Sequence, residues 1–287
     1  MNFSSYIDEI TSRHQGIFTS EEQAILSNAV ICGAGAGGVG GWAYLALARL
    51  GCFNFKIADP EVFDTSNINR QAGSSIDSIG KNKAEIIAQQ IKQINPKAQV
   101  TVYDNGLTYN NISSFVENGN IIIDGVDLYK MEIKKALFDA ARAKNIPVLS
   151  CPILGFGAAL GFFHPTKSPS FEQYFGSIPA NTDTKAYNKY IQHLGINYFG
   201  FKPKLNWSLF TKRVEEDKVP SLGLSCMLSG SMTVTGVVDY LLEKNQFPVV
   251  PTTIHIDLLQ QKIVKIGFLK RLFLKLYIDI YLHFIKK

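Results

Sequence analysis

Two rhythms of apolar and polar positions alternate along the first 150 residues. Short apolar runs at 29–33, 53–58, 100–103, 120–124 and 148–150 read as buried strands. Between them lie stretches with helical spacing at 42–50, 81–94, 109–117 and 132–144. The second of these carries Ala84, Ile87, Ala88, Ile91 and Ile94 on one face. Strand alternating with helix predicts an α/β fold, a doubly wound, mostly parallel sheet of Rossmann type with an elaborated C-terminal half. Residues 1–28 read as a helical lead-in, with Thr19 or Ser20 placed to cap its second helix.

Beyond the last of those strands the pattern changes. Residues 151–163 read as a glycine-interrupted pair of strands. Residues 165–220 are polar and aromatic with little periodicity apart from a helical stretch at 183–193, and a segment this long is read as a substrate-facing insertion. A long apolar helix follows at 231–242, then a hairpin of strands at 252–257 and 262–266. Residues 268–285 are almost wholly apolar, with Arg271, Lys275, Asp279 and His283 falling every fourth residue as a narrow polar stripe. Those 18 residues fall just short of a membrane span. A basic helix with so wide an apolar face suits either a membrane surface or a partner. The expected division is 1–28, an ATP-binding core at 29–160, a substrate and dimerisation half at 161–266, and a terminal helix from 267 onward.

Composition narrows the class. With 287 residues, 46% hydrophobic and 18% charged, the chain is long and apolar enough for a full globular core. The net charge of +5 is concentrated at the end, because residues 268–287 hold five basic side chains against one acid. The remainder is nearly neutral, so the charge describes a tail rather than a nucleic-acid face. Cys32, Cys52, Cys151 and Cys226 are dispersed with no C-x-x-C pair. Neither a disulfide framework nor a structural zinc is expected, and a reducing, cytoplasmic setting fits better. The first residues show no basic-then-apolar signal sequence.

The candidate chemistry centres on residues 29–71. Gly33, Gly35 and Gly38 have G-x-G-x-x-G spacing between a strand and a helix, and Asp59 closes the next strand about 20 positions on. In that arrangement the first glycine permits a tight turn, the second a close approach to ligand, and the third close helix–strand packing. Phosphate then sits on amides at the helix N-terminus, and the acid faces a ribose.

The residues that follow, Asp59-Pro-Glu61, Ser66-Asn67-Ile-Asn-Arg70-Gln71, Gly80-Lys-Asn-Lys83 and Asp124-Gly-Val-Asp127, resemble the adenylating ThiF/MoeB family, which includes the ubiquitin-activating enzymes. The resemblance covers residues 13–160 well and 219–266 loosely. It implies an ATP- and Mg²⁺-dependent adenylyltransferase acting as a homodimer on the C-terminal carboxylate of a ubiquitin-like, sulfur-carrier or peptide substrate. By the same resemblance Asp59 holds ribose, Asn67, Arg70 and Lys83 the triphosphate, and Asp127 the Mg²⁺. Glu61 and Gln71 complete the nucleotide motifs, and Arg13 reaches the phosphates of the opposite subunit. Asp127 is followed by Leu128-Tyr-Lys where the family has Asn and then arginine, so substrate-side contacts are not carried over.

Other readings share part of this pattern. Gly38-Val-Gly-Gly-Trp42, Ser66–Arg70, Lys83-Ala-Glu85 and Gln93-Ile-Asn-Pro96 look like the tRNA threonylcarbamoyladenosine dehydratase, whose substrate would be a tRNA. The near-neutral body argues against it, since a tRNA surface requires clustered Lys and Arg. An NAD-dependent oxidoreductase or a non-catalytic nucleotide-binding module would use the glycines and Asp59. The oxidoreductase gives no reason for Asn67, Arg70, Gln71 and Asp127 together, and intact Arg70 and Asp127 argue against a non-catalytic module. Cys151 and Cys226 are the candidates for a thioester, though neither has an adjacent base in the sequence.

Overall fold

The computed structural model describes residues 3–179, 205–216, 218–267 and 269. The helical stretch at 183–193 and the terminal helix therefore lie outside the described residues. Five parallel strands, β1 (Val30–Ala34), β2 (Asn54–Ala58), β3 (Gln99–Tyr103), β4 (Ile121–Asp124) and β5 (Val148–Ser150), stand in the order β3-β2-β1-β4-β5. The sheet continues antiparallel through β7 (Gly157–Phe163), β8 (Thr253–Asp257) and β9 (Lys262–Ile266), with the two-residue β6 (Ile153–Leu154) folded onto β7. The parallel half is thus the predicted doubly wound sheet. The later half extends the same sheet.

Alternate strand residues feed two cores. Ile31, Ile121 and Ile123 face one side with helices α3 (Gly38–Arg49) and α4 (Lys83–Ile94). Cys32 and Ile122 face the other, with α5 (Ile112–Val116) and α6 (Met131–Ala143). Burial on both faces is why β4 is a continuous isoleucine run and not an alternating one. Of the two lead-in helices, α1 (Phe3–Thr11) and α2 (Ser20–Asn28), the second starts at a Thr19–Glu22 capping box, which satisfies two orphan donors at once.

Two helix starts differ from the sequence reading by a full turn or more. Helix α3 begins at Gly38, a full turn before Trp42. Glycine's poor helix propensity hides this first turn, and tertiary packing overrides it. The late helix likewise starts at Gly223, not Ser231, and runs to Leu241. Its Gly- and Ser-rich opening is held from outside: Ser225 Oγ donates to the Gly155 carbonyl at 2.6 Å and Ser229 Oγ to the Cys151 carbonyl at 2.5 Å. A Cβ on Gly230 would lie 2.7 Å from the Cβ of Trp42, so this helix rests directly on α3. Among the described residues the intervening helices are α7 (Phe171–Phe175) and α8 (Trp207–Glu215), and this last one is α9. The first is too short to show a period, yet Phe171 and Phe175 pack edge-to-face against Phe138 at ring distances of 5.5 and 5.9 Å.

Candidate active site

The strand order reverses between β1 and β4, and in open α/β sheets the crevice beyond the carboxyl ends at such a point is where ligands bind. A cavity of about 1030 Å³ lies there. It is lined by Gly37 to Gly40, Asp64, Arg70, Asp124 to Tyr129, Lys134 and Ser150 and, from later in the chain, by Phe156, Leu205, Arg213, Lys218 to Leu222 and Cys226.

Gly37 caps α3 without a side-chain hydrogen bond, and the first helical bond runs from the Gly41 N–H to the Gly37 carbonyl at 3.0 Å. The amides ahead of it face out of the helix end, the arrangement that takes an anion. The glycines divide their work differently from the spacing rule. Gly35 makes the turn at φ +91°, and a Cβ there would lie 2.4 Å from the Gly125 carbonyl oxygen. The close helix–strand approach belongs to Gly40, where a Cβ would fall 1.9 Å from the Gly35 oxygen. Gly33 leaves room for the ring of Tyr44, and Gly38 faces the Cys226 sulfur of α9.

The remaining sequence-predicted residues separate into two groups. Arg70 and Asp127 line the cavity with Gly38; Asp59, Glu61, Asn67, Gln71 and Lys83 do not. Asp59 is buried, accepting the Ala36 N–H at 2.7 Å on one oxygen and the Glu61 N–H at 2.9 Å on the other. Burial pushes its carboxyl above the usual carboxylate range, and those two amides offset part of the rise. It ties the glycine turn to the end of β2. Lys83 is buried at the first turn of α4, where the helix dipole disfavours a cation, and Glu61 supplies the anion at 2.5 Å. Asn67 Oδ1 accepts the Asp64 N–H at 3.1 Å and closes the turn before Arg70. The Arg70 guanidinium donates to the Ser66 carbonyl at 2.7 Å and to Asn69 Oδ1 at 3.0 Å, while its own carbonyl takes the Trp42 indole N–H at 2.9 Å. Gln71 is buried beside Gly37 with its Oε1 lacking a partner.

The two acids after β4 differ sharply. Asp124 is buried and committed to Lys134 at 2.6 Å and Ser150 Oγ at 2.6 Å, whereas Asp127 is exposed and accepts the Tyr129 N–H at 3.2 Å. Arg13 is exposed at the opposite end of α3, where Gln23 joins His14 Nδ1 at 3.0 Å to the Leu50 carbonyl at 2.8 Å. A 12-residue helix, about 18 Å long, separates it from this chain's own crevice. Cys226 borders the cavity, but burial pushes its thiol up to about 11 despite nearby Arg70, and Cys151 is pushed up to about 12. Neither is poised as a thiolate.

Sequence reasoning missed Lys134, Ser150 and Asp64. Lys134 did leave a signal. It occupies a core position in the stripe Met131, Leu137, Phe138 and Ala141 of α6, and a lysine in such a stripe needs a buried partner.

A sheet reversing beside a glycine turn, an uncapped helix end and a facing carboxylate define a nucleotide-binding α/β protein of Rossmann type. The sequence matches the ThiF family over residues 11–270, and the chain belongs to that family. It is similar to the tRNA threonylcarbamoyladenosine dehydratase of Escherichia coli, 36% identical over 144 residues that cover 50% of this chain and 51% of that one. It is 28% identical over 144 residues to the sulfur carrier protein ThiS adenylyltransferase of Escherichia coli, covering 50% of this chain and 56% of the other. The aligned part therefore spans about half the length of the curated relatives it matches. Among solved structures, E. coli MccB with AMPCPP and MccA has a TM-score of 0.64 at 20% identity, covering 86% of this chain and 66% of that one, which shows the shared fold.

Proposed function

We propose that the chain binds ATP in this crevice and transfers its adenylyl group to a carboxylate, most readily the C-terminus of a ubiquitin-like, sulfur-carrier or peptide substrate. The supporting observation is the meeting of the uncapped α3 amides, Arg70 and the exposed Asp127 at one cavity. In the reaction a carboxylate oxygen attacks the α-phosphorus, the bond from that phosphorus to the bridging oxygen breaks, and pyrophosphate leaves with the electron pair. No proton transfer is required. Catalysis is then positioning and charge stabilisation, with the α3 amides and Arg70 facing the phosphates. Asp59, Asn67 and Gln71 shape the turn that presents them, and the Lys83–Glu61 pair fixes the start of α4 beside Asp59. Arg13 would be supplied to the crevice of a second copy in a homodimer.

The donor set fits Mg²⁺, which binds through one or two carboxylates together with phosphates and water. Asp127 would hold it, where it would neutralise charge on the triphosphate; Asp124 is already paired. ATP–pyrophosphate exchange across peptide, small-protein and tRNA carboxylates tests the proposal. No exchange with any of them, and tighter binding of a dinucleotide than of ATP, would refute it. Exchange with tRNA alone would select the dehydratase-like reading, which the 36% identity supports.

Arg70→Ala is expected to weaken ATP binding about 10- to 100-fold, the worth of a charged hydrogen-bond donor to phosphate, with the fold intact. Equilibrium ATP titration checks this, and an unchanged affinity removes Arg70 from the phosphate site.

A further inference from the structure

We propose that Lys134 is a positioning residue: acting through Asp124, it locks the 125–127 loop against the glycine turn and so aims the Asp127 carboxylate into the crevice. The inference rests on the adenylylation reading above. The Lys134 ammonium is buried on the crevice floor, 2.6 Å from Asp124 Oδ2, and donates to the Val126 carbonyl at 3.3 Å. Asp124 takes the Ser150 hydroxyl on the same oxygen and the Val126 N–H at 3.2 Å on the other. Val126 is thus held at both main-chain groups, one residue ahead of Asp127. Gly125 donates its N–H to the Ala34 carbonyl at 2.7 Å, and its own carbonyl packs on Gly35. Lys134, the acid loop and the glycine turn form one continuous contact.

Stability alone does not account for this pair. A buried ion pair is often no better than two apolar side chains of similar volume in its place, so the fold by itself does not call for charges at both positions. What an apolar residue could not supply is the bond to Val126 and the fixed Asp124 carboxylate.

The test compares the full chain with Lys134→Met and Lys134→Arg, following hydrogen exchange of amides 125–130 without nucleotide and the Mg²⁺ dependence of ATP–pyrophosphate exchange. Lys134→Met is expected to melt cooperatively, with loop amides exchanging about tenfold faster as local opening becomes easier. Its kcat should fall on the order of 10²-fold, the effect of misplacing a catalytic group by about 1 Å, with a higher half-saturating Mg²⁺ and a nearly unchanged KM for ATP. Lys134→Arg should recover loop protection and most of kcat. A folded Lys134→Met protein with wild-type loop exchange, or with wild-type kcat, overturns the proposal. If that variant does not fold, the paired Asp124→Asn, Lys134→Met variant carries the test, since it removes the ammonium and leaves no buried charge behind. Faster loop exchange and lower kcat support the proposal, and no change in either overturns it. A wild-type protein without ATP–pyrophosphate exchange would sink the adenylylation reading, while the loop measurement would still decide whether Lys134 holds the loop.

Discussion

Asp127→Ala is expected to lower Mg²⁺-dependent turnover by 10²- to 10³-fold or more, roughly the range seen when one electrostatic stabiliser is removed from a transition state. The fold should survive, because the carboxylate is exposed and its hydrogen bond to the Tyr129 N–H, at 3.2 Å, caps only a single turn. Losing such a cap costs about 1 kcal/mol. The neighbouring acid gives the contrast. Removing the Asp124 carboxylate would strand the Lys134 ammonium in the interior, a loss of about 3–5 kcal/mol. Thermal melts and exchange assays on the two variants should therefore separate function from stability at positions three residues apart. Full activity in a folded Asp127→Ala protein would end the metal-linked role.

That contrast marks how far the sequence could be read. The strand–helix alternation, the glycine turn and the acids at 124 and 127 were all visible in the order of residues, because periodicity and end-of-strand position are local properties. Which acid stays open to the crevice was not. It depends on Lys134, ten residues away on another element, and on Ser150 from the adjacent strand. The same limit applies to Lys83. The family resemblance gives Lys83 a triphosphate contact, while the fold pairs its ammonium with Glu61, 22 residues earlier, a partner that the local sequence does not announce. The sequence pattern starts helix α9 eight residues late, because its small residues have weak propensity until Trp42 is placed against Gly230. Arg13, which the resemblance marks as a reaching residue, lies at the far end of α3 from this chain's own crevice, so the role proposed for it would need a second copy.

Gly40 is the position where the glycine turn is least tolerant, although the spacing rule assigned close packing to Gly38. A methyl group there would fall 1.9 Å from the Gly35 carbonyl oxygen, 2.7 Å from the Tyr44 hydroxyl and 2.9 Å from its ring. The first obstacle is main chain, so no rotamer change relieves it. The Tyr44 hydroxyl, which donates to that carbonyl at 2.8 Å, is buried and cannot swing aside. Gly40→Ala gains about 1 kcal/mol of helix propensity, against an overpacking cost of about 3 kcal/mol or more. The net of about 2 kcal/mol should lower Tm by about 4 °C or more in a domain of this size. Relief of the clash must move either α3 or the Gly35 turn, and both carry the proposed phosphate site. ATP affinity should therefore fall with stability, although Gly40 offers no side chain to lose. Gly176→Ala is the control: at φ +81° with nothing within 4 Å, it should cost only the backbone strain of about 1–2 kcal/mol and leave ATP binding intact. A Gly40→Ala protein with wild-type Tm and wild-type ATP affinity would show that the turn has slack, and the packing argument for the crevice would fail with it.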